Sequence, residues 1–302
     1  MNTPTSIEKY YCNHLYNAIC DGDEQAFFEI LGNPKDSPEL KEAILSYNIN
    51  DSSRNSLLAL ALQEMKPSLA IIQSLAELGT PKVDRASRGI WAAWSHALKK
   101  SMEDKDADTA STLDHYAHIA KILITNDIGT VDLEKMSWTI SHIIINGMGD
   151  YSEEKVCELL EFMQDQHVSI HQLDEIQESP LAVALWNAHT NVARYLLEQG
   201  ADPLICTMGG RTTGSFIFRS LSNSDKTEKW EQMGQAIILL DHYGYPKETF
   251  ESDFEKGTTE YHDPIELDRV SSAIGLARAH FAQQELQGTT PSVSSLRSSM
   301  RL

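Results

Sequence analysis

The chain has 302 residues, of which 41% are hydrophobic, and this is enough for a sizeable core in one long domain or two ordinary ones. Its 25 basic residues are outnumbered by 44 acidic ones, which gives a formal net charge of −19. Phosphate backbones and anionic lipids repel such a chain, so general nucleic-acid binding and docking on lipid are excluded. No run of about 18 apolar residues is present, and we expect no membrane-spanning segment.

The cysteine content indicates a reducing compartment. Four cysteines form no CxxC pair and show no zinc-ligand spacing, and so few thiols in a long chain favour a cytosolic protein. The N-terminus MNTPTSIEKYY has no basic segment followed by an apolar run, so no secretory signal peptide is predicted. We therefore expect a cytoplasmic protein that holds no metal and no cofactor.

The clearest pattern is a pair of short helices between Ser179 and Asp202. Ser179 is a helix-capping residue, and Pro180 suits the first helical turn, where a missing N–H costs nothing. Gly200 is placed to end the second helix. Apolar residues recur at helical spacing in both helices, at Leu181, Ala184 and Leu185 and then at Val192, Leu196 and Leu197.

This segment, SPLAVALWNAH followed by TNVARYLLEQGAD, resembles the ankyrin repeat. The family pattern reads T-P-L-H-x-A-A-x-x-G-H and then x-x-I-V-x-x-L-L-x-x-G-A-D. Here Ser179 replaces the Thr, Ala182 the His and Ala188 the Gly, whereas His189 matches. Thr212 follows Ser179 by 33 residues, which is the period of that repeat.

Five other segments share this spacing of apolar residues in a degenerate form. The resemblance implies an all-α fold, an ankyrin-repeat solenoid of about six degenerate repeats over residues 8–286, closed by a C-terminal capping helix from Pro264 to about Leu286. A generic array of helical hairpins is the alternative. The five segments are Leu15–Leu31, Leu58–Gly79, Ile90–Leu123, Ile140–Leu160 and Thr212–Gly244.

Three segments depart from the repeat pattern. Residues 99–114 form a charged insertion between the two helices of the third repeat, and residues 245–263 form an acidic loop. Residues 287–302 are rich in Ser and Thr and predict a disordered tail, because they lack the apolar side chains whose burial would offset the entropy cost of ordering.

Three patterns resemble catalytic or ligand sites, and each has a simpler structural interpretation. The segment Gly209–Ser215 lacks the Lys of a phosphate-binding loop and follows no predicted strand, so a turn between repeats is favoured. His167 and His171 have the spacing of a helical metal site, but a loop is expected there. Cys157 lies on an expected core face, which favours a buried thiol over a nucleophile.

The resemblance also implies a binding surface. Ankyrin arrays bind proteins through a concave face built from the turns between repeats and the ends of the first helices. The family places partner-facing residues at the two positions after the paired core alanines. An exposed Trp is typical of binding hot spots, and the alternative is that Trp186 packs on a neighbouring repeat. The aligned positions are Cys20 and Asp21, Gln63 and Glu64, Ser95 and His96, Ile145 and Asn146, Trp186 and Asn187, and Arg219 and Ser220.

We therefore expect a protein-binding module and no enzyme. The acidic positions Asp21 and Glu64 favour a partner with a basic patch. The degenerate repeats, long insertion, acidic loop and polar tail are similar to the ankyrin effectors that intracellular bacterial pathogens deliver to the host cytosol by type IV secretion. The alternatives are an ordinary intracellular scaffold and an enzyme whose site lies within the degenerate repeats.

Overall fold

In a computed structural model of the chain, the described residues form helices and no β-strands, so the all-α prediction is confirmed for them. The structure describes residues 6–32, 37–47, 56–64, 67–79, 86–104, 108–128, 139–222, 227–246, 248–250, 252–253, 275 and 280. In this part of the chain the helices are α1 (Ser6–Cys20), α2 (Glu24–Leu31), α3 (Pro38–Ser46), α4 (Leu57–Gln63), α5 (Leu69–Glu77), α6 (Ala86–Met102), α7 (Thr109–Thr125), α8 (Ile140–Met148), α9 (Glu153–Asp165), α10 (Pro180–Trp186), α11 (Thr190–Glu198), α12 (Thr213–Ser222) and α13 (Thr227–His242).

The chain divides into two compact units, Met1–Met148 with Glu158–Ser169, and Gly149–Cys157 with Ile170–Leu302. In the first unit, α1, α4, α6 and α8 pack side by side in that order, and α2, α5 and α7 form a second layer. In the second unit, α10 packs on α12 and α11 packs on α13. Each unit is thus built from helix pairs, with first helices in one layer and second helices in another.

Side-chain caps fix where the first helices begin. The Ser179 hydroxyl accepts a hydrogen bond from the N–H of Ala182 at 3.1 Å, as its position in the sequence predicts. The Thr212 hydroxyl accepts from the N–H of Ser215 at 3.3 Å in the same way. Each bond satisfies one of the four amides that a helix leaves without a partner at its N-terminus. The helix starts are therefore set by these two hydroxyls.

Helix α11 is capped by a carboxylate from the N-terminal part of α9, which belongs to the same unit. One oxygen of Glu153, the first residue of α9, accepts hydrogen bonds from the N–H groups of Asn191 and Val192 at 2.7 and 3.1 Å. A carboxylate at a helix N-terminus is favourable because it opposes the positive end of the helix dipole. The beginning of α11 is thus tied to the beginning of α9.

Two turns of the second unit, turn 1 (residues 174–178) and turn 2 (residues 207–211), have the same hydrogen bonds. In each, two backbone bonds close the turn, and the side chain of the first residue accepts a third. Every donor and acceptor of turn 2 lies 33 residues after its counterpart in turn 1. The bonds run from Asp174 N–H to Glu178 O (3.1 Å), Gln177 N–H to Asp174 O (3.1 Å), Glu178 N–H to Asp174 Oδ1 (2.7 Å), Thr207 N–H to Arg211 O (2.9 Å), Gly210 N–H to Thr207 O (2.8 Å) and Arg211 N–H to Thr207 Oγ1 (3.2 Å).

The fourth residue of each turn adopts a left-handed backbone. Its φ is 60° at Gln177 and 71° at Gly210. This conformation costs a residue with a side chain about 1–2 kcal/mol, whereas glycine adopts it readily. Turn 1 therefore keeps the geometry of turn 2 in spite of an unfavourable residue.

Exchanging these residues tests whether the two turns share one geometry. Gln177→Gly should raise the free energy of unfolding by about 0.5–1 kcal/mol, because relief of strain exceeds the added entropy of the unfolded chain. Gly210→Gln should lower it by about 1 kcal/mol for the opposite reason. Urea denaturation of both variants measures these changes. A Gln177→Gly variant less stable than the wild type would contradict the shared geometry.

Gly147 differs in its role from the glycines that follow helix ends. Gly22, Gly79, Gly200 and Gly244 each lie two residues after a helix and have positive φ, whereas Gly147 lies inside α8. A Cβ at Gly147 would lie 3.0 Å from the hydroxyl oxygen of Ser95 and 3.4 Å from the ring of Trp94, both in α6. Gly147 therefore allows α8 to pack closely on α6, and a side chain at this position would press against Ser95.

The predicted insertion at residues 99–114 is largely helical. Helix α6 continues to Met102, and α7 begins at Thr109, so both helices reach 17 residues. This stretch contains no Gly or Pro to break a helix. The two long helices are joined at Tyr116, whose carbonyl accepts from the indole N–H of Trp94 at 3.0 Å and whose hydroxyl bonds Ser101 at 2.9 Å.

The described start of the predicted acidic loop packs against the beginning of α12. The Tyr245 hydroxyl donates to Asp253 at 2.7 Å and accepts from the N–H of Gly214 at 3.1 Å. A Cβ at Gly214 would lie 2.7 Å from the Asp253 carboxylate, so a side chain at this position would displace Asp253. Residues 254–263, the tail at 287–302 and the predicted closing helix, except Gly275 and His280, fall outside the described residues.

Candidate partner-binding surfaces

Most of the predicted partner-facing residues lie at or near the C-terminal ends of the first helices, whereas Ser95 and His96 lie in the middle of α6. Most of the predicted residues that the structure describes are reachable by solvent. They are divided between the two compact units. Arg219 and Ser220 lie in α12, and their side chains fall outside the described part of the chain. The exposed residues are Cys20, Asp21, Gln63, His96 and Asn146, and the half-buried ones are Glu64, Ser95, Trp186 and Asn187.

The prediction that Ile145 faces a partner is wrong. None of its surface is exposed, so its side chain cannot contact a partner. In α8 the residues Ile140, Ile143 and Ile144 are buried as well, and only Asn146 is exposed. Even the polar Ser141 and His142 are buried, so α8 is enclosed on nearly all sides and alignment to a repeat with a solvent-facing end assigned the wrong orientation here.

Glu64 lines a groove of about 410 Å³ in the first unit. The groove lies where the turn between α1 and α2 meets the pair α4 and α5. Its apolar lining residues are buried, whereas its polar lining residues come from the starts and ends of helices. The lining residues are Ile19, Gly22, Glu24, Ala61, Glu64, Ser68 and Ile71.

Glu24 is held at this groove by the cap of α5. Its carboxylate accepts a hydrogen bond from the hydroxyl of Ser68 at 2.6 Å. The same hydroxyl caps α5 by accepting from the N–H of Ile71 at 3.2 Å. A single hydroxyl therefore links the start of α2 to the start of α5 and fixes one carboxylate of the groove. Sequence analysis did not single out Glu24, because it lies outside the aligned positions.

Trp186 lies at the end of α10 and packs on α12. Its ring centre is 5.8 Å from that of Phe216, with the two planes tilted by 50°. Trp186 thus packs on the neighbouring helix pair, as the packing alternative predicts, and its side chain is half-buried. Two residues later, Ala188 has a φ of 61°, the left-handed conformation for which the family pattern has glycine.

Turns 1 and 2 carry exposed apolar side chains that sequence analysis missed. Ile176 in turn 1 is 48% exposed, and Met208 in turn 2 is 71% exposed. The N–H of Met208 donates to the carbonyl of Ile176 at 2.9 Å, so the two turns are in direct contact. We call Ile176 and Met208 the turn patch. Leu204, just before turn 2, is also 51% exposed.

Asp174 fixes the backbone that presents Ile176. Its buried carboxylate accepts hydrogen bonds from the N–H groups of Ile176 and Glu178 at 3.0 and 2.7 Å. Burial raises the pKa of Asp174, the two backbone hydrogen bonds oppose the rise, and the charge of Glu175 adds to it. Burial therefore outweighs the hydrogen bonds.

Asp174 should therefore make the second unit less stable as pH rises. A folded-state pKa above the ordinary 3.8 means that the folded chain holds this proton to higher pH than the unfolded chain does. The stability that the protonated form contributes is present below that ordinary value and is lost as pH rises through the folded pKa. Asp174→Asn keeps the acceptor without the charge. Urea denaturation between about pH 3 and 7 measures the free energy of unfolding of both proteins. The wild-type value minus the variant value should fall as pH rises. A difference that does not change with pH would contradict the raised pKa of Asp174.

The three other patterns that resemble catalytic or ligand sites in the sequence have structural roles. Burial, helped by the carboxylates of Glu153 and Glu198, raises the pKa of the Cys157 thiol to about 11, so at neutral pH it is protonated and weakly nucleophilic. His171 lies 3.0 Å from the carbonyl of Gln199, and Gly209–Ser215 contains the end of turn 2 and the cap of α12, as predicted.

Within the described ranges, no three His, Cys, Asp or Glu side chains are grouped so that they could hold a metal ion. The helices seen there are too short or too polar to cross a membrane. No protein-family model matches the chain, and no curated protein matches its sequence.

Proposed function

We propose that this chain is a protein-binding module built from about six ankyrin-like repeats. Each of the six predicted repeat segments contains one pair of the described helices. The recurrence of turn bonds and helix caps at 33 residues supports the repeat, and so does the two-layer packing within each unit. In ankyrin arrays the turns between repeats form part of the binding face.

The turn patch is the observation that carries the binding proposal. Two large apolar side chains project into solvent from adjacent turns, where a protein that functions alone has no need of them. Hydrogen bonds already fix the backbone of both turns, so little conformational entropy remains to be lost on binding. Exposed apolar groups on an ordered backbone favour a protein partner with a complementary apolar surface.

Replacing the turn patch should weaken partner binding at least tenfold. The double variant Ile176→Ser and Met208→Ser removes apolar area without changing charge or the turn bonds. Proteins purified from cytosol with the wild type should include a partner that this variant loses. With that partner purified, calorimetry should show at least a tenfold weaker Kd, about 1.4 kcal/mol. Phe28→Ser is the matched control, since Phe28 is exposed on α2 of the other unit. Equal binding by the wild type and the double variant would contradict the proposal.

Trp186 should contribute to the same interaction. Trp186→Ala should weaken binding by about 2 kcal/mol or more, because the ring offers a large rigid contact area. This variant also loses the contact with Phe216, so melting curves must accompany the binding data. Trp186→Phe preserves an aromatic ring beside Phe216 and separates the two effects. Normal binding by Trp186→Ala, with binding lost in Glu198→Ala on the exposed face of α11, would contradict this role.

We propose, more narrowly, that the partner is a host protein and that the chain is an effector delivered by type IV secretion into the host cytosol. This proposal is supported by the similarity of its organisation to such effectors, with degenerate repeats, a lengthened third pair and a polar tail. An ordinary intracellular scaffold is the alternative. Delivery into host cells, compared with and without residues 287–302, distinguishes the two.

A further inference from the structure

The groove in the first unit combines an apolar floor with an acidic rim. Ile19, Ala61 and Ile71 line it and are buried from bulk solvent apart from a few per cent of their surface. Its volume of about 410 Å³ falls within the range of ligand-binding clefts, roughly 300–1,000 Å³. A groove of this size suits one extended side chain or a short peptide segment.

Two carboxylates, those of Glu24 and Glu64, line the same groove. Both charged residues among the described lining are acidic, and their negative charge attracts a cation. Glu24 is held in place by the Ser68 hydroxyl, and a carboxylate has acceptor sites for several further donors. The cation would therefore meet an acceptor that is already oriented.

We infer that this groove binds an arginine side chain of the partner protein, an inference that rests on the proposed protein-binding function. An arginine has an apolar stem that can lie on Ile19, Ala61 and Ile71 while its charged end stays at the wetter rim. Its planar guanidinium carries five N–H donors in a fixed fork and can bond more than one carboxylate oxygen, which an ammonium does less well. The groove thus assigns a specific residue type to the basic patch of the partner.

The experiment titrates the full-length 15N-labelled chain with N-acetyl-arginine-N-methylamide and follows backbone amide shifts. Amides of Gly22, Glu64 and Ser68 should shift, and the matching citrulline compound, which has the same shape without the charge, should bind at least fivefold more weakly. Glu24→Gln and Glu64→Gln should each weaken arginine binding at least fivefold. Glu77→Gln is the matched control, because Glu77 is exposed on α5 and does not line the groove.

Equal shifts with arginine and citrulline, or no shift at the groove, would overturn the inference. Equal binding of the corresponding lysine compound would overturn the choice of a guanidinium. Failure here is distinguishable from failure of the proposed function, because the turn-patch variant tests partner binding in the other unit. A partner lost by the turn-patch variant, with no arginine effect at the groove, would leave the proposed function standing and remove this inference alone.

Discussion

The hydrogen bonds that close each turn and cap the following helix are the constraint on which the second unit depends. Asp174 and Thr207 accept bonds inside their turns, and five residues later Ser179 and Thr212 cap α10 and α12. Because these acceptors recur at one spacing, the two helix pairs begin in the same register. The packing of α10 on α12 and of α11 on α13 follows from that shared register.

Short polar contacts at helix N-termini also connect the starts of neighbouring second helices. In the first unit Glu24 bonds the hydroxyl that caps α5, and in the second unit Glu153 caps α11 directly. Both glutamates are the first residue of a second helix. Each of these carboxylates therefore stabilises its own helix through the dipole and the next helix through a hydrogen bond. Part of the acidity of this chain has a structural role.

Sequence analysis succeeded where local chemistry decides the structure. The cap at Ser179, the left-handed Gly200 and the 33-residue step to Thr212 depend on residues close in sequence, and all are present in the structure. It failed at Ile145, because tertiary packing encloses α8 on nearly all sides, polar Ser141 and His142 included, and the sequence of the helix does not reveal this. It also missed Ile176 and Met208, since residues in turns follow no helical periodicity and only the folded backbone shows that they reach solvent. An isolated apolar residue between polar neighbours in a turn is the signal that was available.

The cap that Glu153 provides for α11 has a consequence for how the second unit loses structure. The amides of Asn191 and Val192 keep their partner only while the first turn of α9 stays wound. Local fraying of the first turn of α9 therefore removes stability from α11 without any change in α11 itself, so the starts of these two helices open together. Protection of these amides from hydrogen exchange would then report the integrity of a helix to which they do not belong.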